Sequence, residues 1–126
     1  MAAHTDGASR LRQSLAQLRD ESGRVLGLLM SHVSLMRGSV YELRRKCGKP
    51  SCACRDGVLL HSCMAITWSD AGRKRLRSLS PKEEVELVRL TENYRRFRRA
   101  RARLVELHAK MLAVVDQLEE ARRREP

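Results

Sequence analysis

Three of the chain's four cysteines fall within eight positions, in the stretch KCGKPSCACRDG at 46–57. Cys47, Cys52 and Cys54 are spaced C-x4-C-x-C, Gly48 and Pro50 favour a tight turn between the first two, and His61 and Cys63 follow within nine residues. Zinc takes four soft or borderline ligands at the corners of a tetrahedron, a need that three thiolates and one imidazole meet. His61 is the favoured fourth ligand and Cys63 the alternative. A C-x-C pair holds two thiolates in a narrower bite than C-x2-C, so zinc competes with a second reading, reduced cysteines serving as small apolar side chains of a tight loop. A redox pair is a third, because Arg44, Arg45, Lys46 and Lys49 surround the thiols with cations that favour thiolate.

The other chemistry is charge. Lys and Arg number 26 against 15 Asp and Glu, a formal net charge of +11 and a pI near 10.5. So large an excess in a small chain implies a polyanionic partner, and arginine suits phosphates and base edges better than lysine does. Arg37, Arg44, Arg45, Lys46, Lys49 and Arg55 stand against Glu42 alone between 37 and 55, and Arg73, Lys74, Arg75 and Arg77 follow with no acid after Asp70. YRRFRRARAR at 94–103 adds Arg95, Arg96, Arg98, Arg99, Arg101 and Arg103. A solvated helix with pairs such as Glu92 and Arg96 accounts for part of this last run. Catalytic signatures are absent: there is no Gly-rich phosphate loop, paired carboxylate site or Ser-His-Asp set, so neither an enzyme nor a small-molecule substrate is expected. Tyr41 and Tyr94 lack a second domain to hold phosphate and general acid. His32 and His108 sit at apolar seam positions, where a core histidine is the ordinary reading, and His4 lies in the leader.

These residues need positioning elements. At 126 residues with only 3% aromatics, the chain reads as one folding unit whose burial comes from Leu, Val, Met and Ala, a composition suited to helix packing. Residues 1–8 read as a disordered leader. From 9 to 36, Leu11, Leu15, Leu18, Val25, Leu29 and Met36 keep a four-three spacing, with Ser22 and His32 at two seam positions, and predict helix one. Ser80-Pro81-Lys82-Glu83 predicts the capped start of helix two over 80–122. Its seam is Leu87, Leu90, Tyr94, Phe97, Leu104, Met111, Val115 and Leu118, and 123–126 is a tail. Between them, 37–79 predicts a small three-stranded antiparallel sheet from SVYELRRK, HSCMAITWS and RKRLRSL, with a cysteine loop after the first strand and a hairpin loop at Asp70-Ala71-Gly72. Met64, Ile66 and Trp68 are expected to pack on Leu76 and the helices, leaving Arg73, Arg75 and Arg77 on the other face with Ala65 and Thr67.

The expected fold is therefore mainly α: two long helices as an antiparallel coiled-coil-like hairpin carrying the β-sheet and cysteine loop as an insert. Helices of roughly 42 and 63 Å cannot match end to end. Met111, Val115 and Leu118 are accordingly expected to overhang and be covered by a second copy or a partner protein.

RGSVYELRRKCGKPSCACRDG, followed by a histidine, a short strand pair and a Pro-capped helix with ENYRR, resembles a family of small basic bacterial proteins known only as a domain of unknown function, often found in genomes rich in mobile elements. The resemblance covers about 37–96. It implies that Cys47, Gly48, Lys49, Pro50, Cys52, Cys54, Gly57 and His61 form one structural site, and it implies no activity. The chain departs from the family pattern after His61, where Ser62-Cys63 replaces a Gly-Pro-aromatic turn.

The functional expectation is a DNA-binding accessory protein of a mobile-element, recombination or defence system. It would contact duplex DNA through Arg44, Arg45, Lys46, Lys49, Arg73, Lys74, Arg75 and Arg77 of the sheet region and Arg95, Arg96 and Arg99 of helix two. The alternative is a coiled-coil adaptor whose basic surface docks an acidic partner or RNA. Few aromatics are available for base stacking, which disfavours single-strand binding. VLGLLM at 25–30 is too short to cross a bilayer and MAAHTDGASR has no apolar segment, so a cytoplasmic protein with no membrane partner is expected.

Overall fold

A computed structural model describes residues 2–57 and 60–126. The elements are α1 (Ala2–Leu29), β1 (Ser39–Arg45), β2 (His61–Asp70), β3 (Arg73–Ser78) and α2 (Pro81–Arg122), with a 3-10 turn at Ala53–Asp56 between β1 and β2. Two long helices and a three-stranded antiparallel sheet of order β1-β2-β3 are thus present, as expected. Among the described residues no helix is long and apolar enough to cross a membrane. The chain divides into two compact units, Val33–Arg95 and the remainder, which joins the segment up to His32 to Arg96–Pro126.

In the Val33–Arg95 unit, α2 begins as its capping sequence dictates. Pro81 is the first helical residue, the Ser80 N–H donates to Glu83 Oε1 at 2.9 Å, and the Glu83 N–H donates to the Ser80 carbonyl at 3.2 Å. The sheet packs Ile66 against Leu79 and Leu87, with Met36, Val40, Met64, Trp68 and Leu90 around them. Asp70 pairs with Arg73, so the hairpin loop is only Ala71-Gly72, at φ 50° and 80°. Both loop residues are left-handed, as a type I′ turn requires.

That two-residue loop corrects the expected faces of the hairpin. Arg77 lies opposite Ile66 and Arg75 opposite Trp68, while Leu76 lies opposite Thr67. Arg73, Arg75 and Arg77 therefore share the helix-facing side of the sheet with Ile66 and Trp68. Leu76, 47% exposed, is on the other side. A three-residue loop would have given the opposite result, since one residue of slip exchanges the two faces of a strand. All six residues of β3 are exposed.

Helix one is displaced from its expected 9–36. It starts at Ala2, so residues 2–8 are helical rather than a disordered leader, and Gly7 is accommodated within it. It stops at Leu29, where the Ser31 N–H turns back to the Leu28 carbonyl. The residues that follow, Ser31 to Ser34, are weak helix formers, and outside the helix this segment reaches better partners. The Met36 N–H donates to the Leu90 carbonyl at 3.2 Å, Asn93 Nδ2 donates to the Ser34 carbonyl at 3.2 Å, and the Met36 side chain joins the core.

In the other unit, Leu11, Leu15, Leu18, Val25 and Leu29 of α1 are half-buried. The seam of α2 there runs through Phe97, Ala100, Leu104, Leu107, Met111, Val114 and Leu118. Leu107, at 0% exposure, is its most buried residue, whereas Val115 is 44% exposed. The seam was expected through Val115 and without Leu107; alternating three- and four-residue steps from Phe97 give the observed set. Arg103 donates to Glu21 from Nε and Nη2, at 2.9 and 2.6 Å, and from Nη1 to Glu106 at 2.8 Å. His32 and His108 are exposed rather than core residues. Met111 and Val115 share a groove of about 550 Å³ with Leu15 and Ala16, so these two do not project past helix one as expected.

Candidate functional site

The cysteine loop is shaped by backbone turns that its sequence supplies. Gly48 adopts φ 84° and Gly57 φ 75°, left-handed values that glycine takes without steric cost. The Cys52 N–H donates to the Lys49 carbonyl at 3.1 Å, and the 3-10 turn then closes through Arg55 N–H to Cys52 and Gly57 N–H to Cys54. Arg55 Nη1 adds a bond to the Pro50 carbonyl at 3.1 Å. This coil makes the narrow C-x-C spacing workable. The strand pair completes the arrangement, because Arg45 lies opposite His61 and so brings the end of β1, next to Cys47, against the start of β2.

Cys47, Cys52, Cys54 and His61 converge, with one donor atom from each lying within 4.8 Å of all the others. Cys54 Sγ is 3.4 Å from Cys47 Sγ and Cys52 Sγ is 3.2 Å from His61 Nε2. In a tetrahedral site with Zn–S bonds of about 2.3 Å, two sulfurs stand ~3.8 Å apart, so four donors at these separations fit one zinc ion with little movement. The Cys47 N–H donates to Cys54 Sγ at 3.3 Å, an arrangement that stabilises a thiolate. Cys54 is buried, Cys52 half-buried and Cys47 exposed.

The thiols are unequal. The Cys54 backbone N–H, then His61 and the neighbouring cysteines, lower Cys52 to about 6. The Cys47 N–H pulls Cys54 down, but burial together with the Cys47 and Cys52 sulfurs outweighs it and pushes that thiol up. Cys63, the alternative ligand, is not among the four converging donors, although it lines a cavity with Cys47 and His61. It lies opposite Leu43 on the sheet, with its Sγ 3.9 Å from Ser78 Oγ.

The basic residues divide into paired and unpaired sets. Arg77 binds Glu83 at 2.9 Å, Arg95 binds Glu92 at 2.6 Å, Arg44 binds Glu42 at 3.2 Å and Arg75 lies 3.8 Å from Asp70. Glu92 thus pairs with Arg95 and not with Arg96. Glu83 is held below the usual carboxylate range by the Ser80 N–H and then by Arg77. Arg45, Lys46, Lys49, Arg73 and Lys74 are exposed and have no carboxylate partner among the described residues. Arg96, Arg98, Arg99 and Arg101 are likewise exposed on the part of α2 in the other unit.

Sequence reasoning missed one feature of the Val33–Arg95 unit. A groove of about 470 Å³ brings Arg37, Lys74 and Arg95 together with Trp68 and Tyr94. These residues come from three distant stretches of chain, and no local spacing announces them.

A family model described as a domain of unknown function (DUF6788) matches residues 8–90. No curated protein and no solved structure matches the chain.

Proposed function

The chain belongs to the DUF6788 family, a domain of unknown function, and from that premise we propose a zinc-pinned module that binds duplex DNA. Cys47, Cys52, Cys54 and His61 would hold the ion, which when bound supplies a structural crosslink between the end of β1, the loop and the start of β2. All four tetrahedral positions would then be taken by protein, as in structural rather than catalytic zinc sites. The DNA reading is carried by Arg45, Lys46, Lys49, Arg73 and Lys74, exposed cations without carboxylate partners on the sheet and its loop. Arg44, Arg75 and Arg77 contribute less, because each already has an acidic neighbour. Arg96 and Arg99 add basic surface along α2, and Arg95, held by Glu92, adds less. On this reading the protein is an accessory factor of a mobile-element, recombination or defence system.

The test is fluorescence anisotropy with labelled duplex DNA over a salt series. Each phosphate contact contributes about 0.9 to the slope of log K against log salt. Replacing Arg45, Lys49 and Arg73 together by alanine is expected to weaken binding and flatten that slope by two to three contacts' worth. Absence of duplex binding at modest salt refutes the reading.

A second reading, a protein-binding adaptor, is favoured by the groove lined by Leu15, Ala16, Met111, Leu112 and Val115, in which Leu112 is 63% exposed. On this reading α1 and the second half of α2 would pair antiparallel as a hairpin, an order supported by the Arg103–Glu21 ion pair and by Leu15 and Met111 lining one groove. Met111, Val115 and Leu118 then contribute to a surface for a second copy or another protein. Met111→Asp would abolish self-association or partner binding while leaving DNA affinity intact.

A further inference from the structure

We infer that the groove containing Arg37, Lys74 and Arg95 binds one unpaired nucleotide of a nucleic-acid strand, its phosphate on the cations and its base on Trp68 and Tyr94. The inference deepens the nucleic-acid reading above and rests on it.

Arg37 from the segment before β1, Lys74 from β3 and Arg95 from α2 all line the groove, and no carboxylate does. Arg95 is engaged with Glu92, but the Arg37 and Lys74 side chains have no hydrogen-bond or ion-pair partner among the described residues. The position of Arg37 is fixed by its neighbour. Gly38 has φ 146°, and a Cβ there would stand 3.0 Å from the Thr67 carbonyl oxygen, so only glycine lets the chain approach β2 this closely. Ser39 and Ser69 add hydroxyls to the lining. Such a set of donors recognises an anion with several oxygens, as a phosphate has.

The aromatics specify more than a phosphate. Trp68 and Tyr94 are two of only four aromatic residues in the chain, and both line this one groove. An aromatic face beside cations is the usual platform for a base that has left its stack. The groove is open, and its volume of about 470 Å³ is of the size that takes a small organic ligand, roughly 300–1,000 Å³. A base stacked within a duplex has both faces covered and cannot lie on Trp68 or Tyr94, so the ligand is a nucleotide at a strand end, in a gap or extruded from the helix.

Trp68 is the chain's single tryptophan, so intrinsic fluorescence reports on this groove directly. The full-length protein is titrated with a short 5′-phosphorylated single-stranded oligonucleotide, a blunt duplex, thymidine monophosphate and inorganic phosphate, while anisotropy follows DNA binding in parallel. Quenching of Trp68 by the oligonucleotide is expected, with tenfold or greater weakening in Arg37→Ala and in Lys74→Ala and recovery in Lys74→Arg. Circular dichroism checks that each variant is folded, and Tyr94→Ala provides a second route should Arg37→Ala fail that check. Duplexes with a single-stranded overhang are expected to bind more tightly than blunt ones, and only the overhang should quench. Unchanged Trp68 emission alongside intact anisotropy overturns the groove assignment and leaves the duplex reading standing. Quenching by the mononucleotide as tight as by the strand assigns the groove to a free nucleotide and overturns the strand assignment. Competition by inorganic phosphate as strong as by the mononucleotide overturns the role given to the base.

Discussion

Cys47, Cys52, Cys54 and His61 form a cluster that could hold a metal ion, and the pH dependence expected for loading it with zinc can be worked out from the thiols. The expected complex is one to one, with cobalt(II) giving the visible absorption of a tetrahedral site and the charge transfer of three thiolates. A thiol that is already ionised gives up no proton to the metal, whereas a protonated one must release it. Cys52, at about 6, is largely thiolate at neutral pH and releases none. Cys54, raised above its ordinary value, is protonated there and releases one. Below pH 6 Cys52 must release a proton too, so the slope of log affinity against pH steepens by one at that point. An ion present at a hundredfold excess over its dissociation constant stabilises the fold by about 2.7 kcal/mol. That is worth several degrees of thermal midpoint in a chain this size. Metal titrations from pH 5 to 8, with calorimetry in buffers of different protonation enthalpy, measure both quantities. Cys54→Ser is expected to lose the tetrahedral cobalt spectrum, and Cys63→Ser to keep it. Octahedral cobalt in the wild type, or a Cys54→Ser protein with unchanged spectrum and stoichiometry, would refute the reasoning.

Three further outcomes are expected. Ala71→Asn should stabilise the protein by about 1 kcal/mol, because Ala71 is left-handed at φ 50° and asparagine tolerates that region better; an unchanged or lower thermal midpoint contradicts the turn assignment. Ile66→Ala should cost about 2–5 kcal/mol in denaturant unfolding, since Ile66 is 4% exposed in the core with Leu79 and Leu87 and truncation leaves a cavity. Glu83 is held below the usual carboxylate range, so its contribution is complete above the unfolded carboxylate pKa and is lost as pH falls through the lower, folded value. Glu83→Gln should therefore flatten the acid limb of the stability profile, and an unchanged acid limb counts against the Ser80 and Arg77 contacts.

Much of the frame could be read from residue order alone, for local reasons. The Ser80–Glu83 capping pattern marks its helix start within a few residues, and the β-branched and aromatic content of HSCMAITWS marks its strand. His61 was the favoured fourth residue of the cysteine cluster, and it lies with the three cysteines because the start of β2 pairs with the end of β1 beside Cys47. What failed needed longer-range information. The side of the sheet taken by Arg73, Arg75 and Arg77 turned on whether the loop held two residues or three, a choice decided by the left-handed backbone at Ala71. The end of α1 at Leu29 reflects hydrogen bonds to Leu90 and Asn93, sixty residues away in round terms and without local signature. The groove joining Arg37 to Lys74, Trp68, Tyr94 and Arg95 is tertiary in the same sense.

The exposure of β3 has a consequence for how copies of this protein meet. Its outer side presents a row of unpaired backbone donors and acceptors, which invites another extended chain to add as a fourth strand. Arg73, Lys74, Arg75 and Arg77 populate that strand, so the edge of a second molecule would bring the same positive charges into register and be repelled. The cations thus keep the sheet from growing edge to edge, as long as they remain charged. An extended acidic segment faces no such barrier. Replacement of several of these residues by threonine or valine would convert the strand from a guarded border into a seed for aggregation, even with the core untouched.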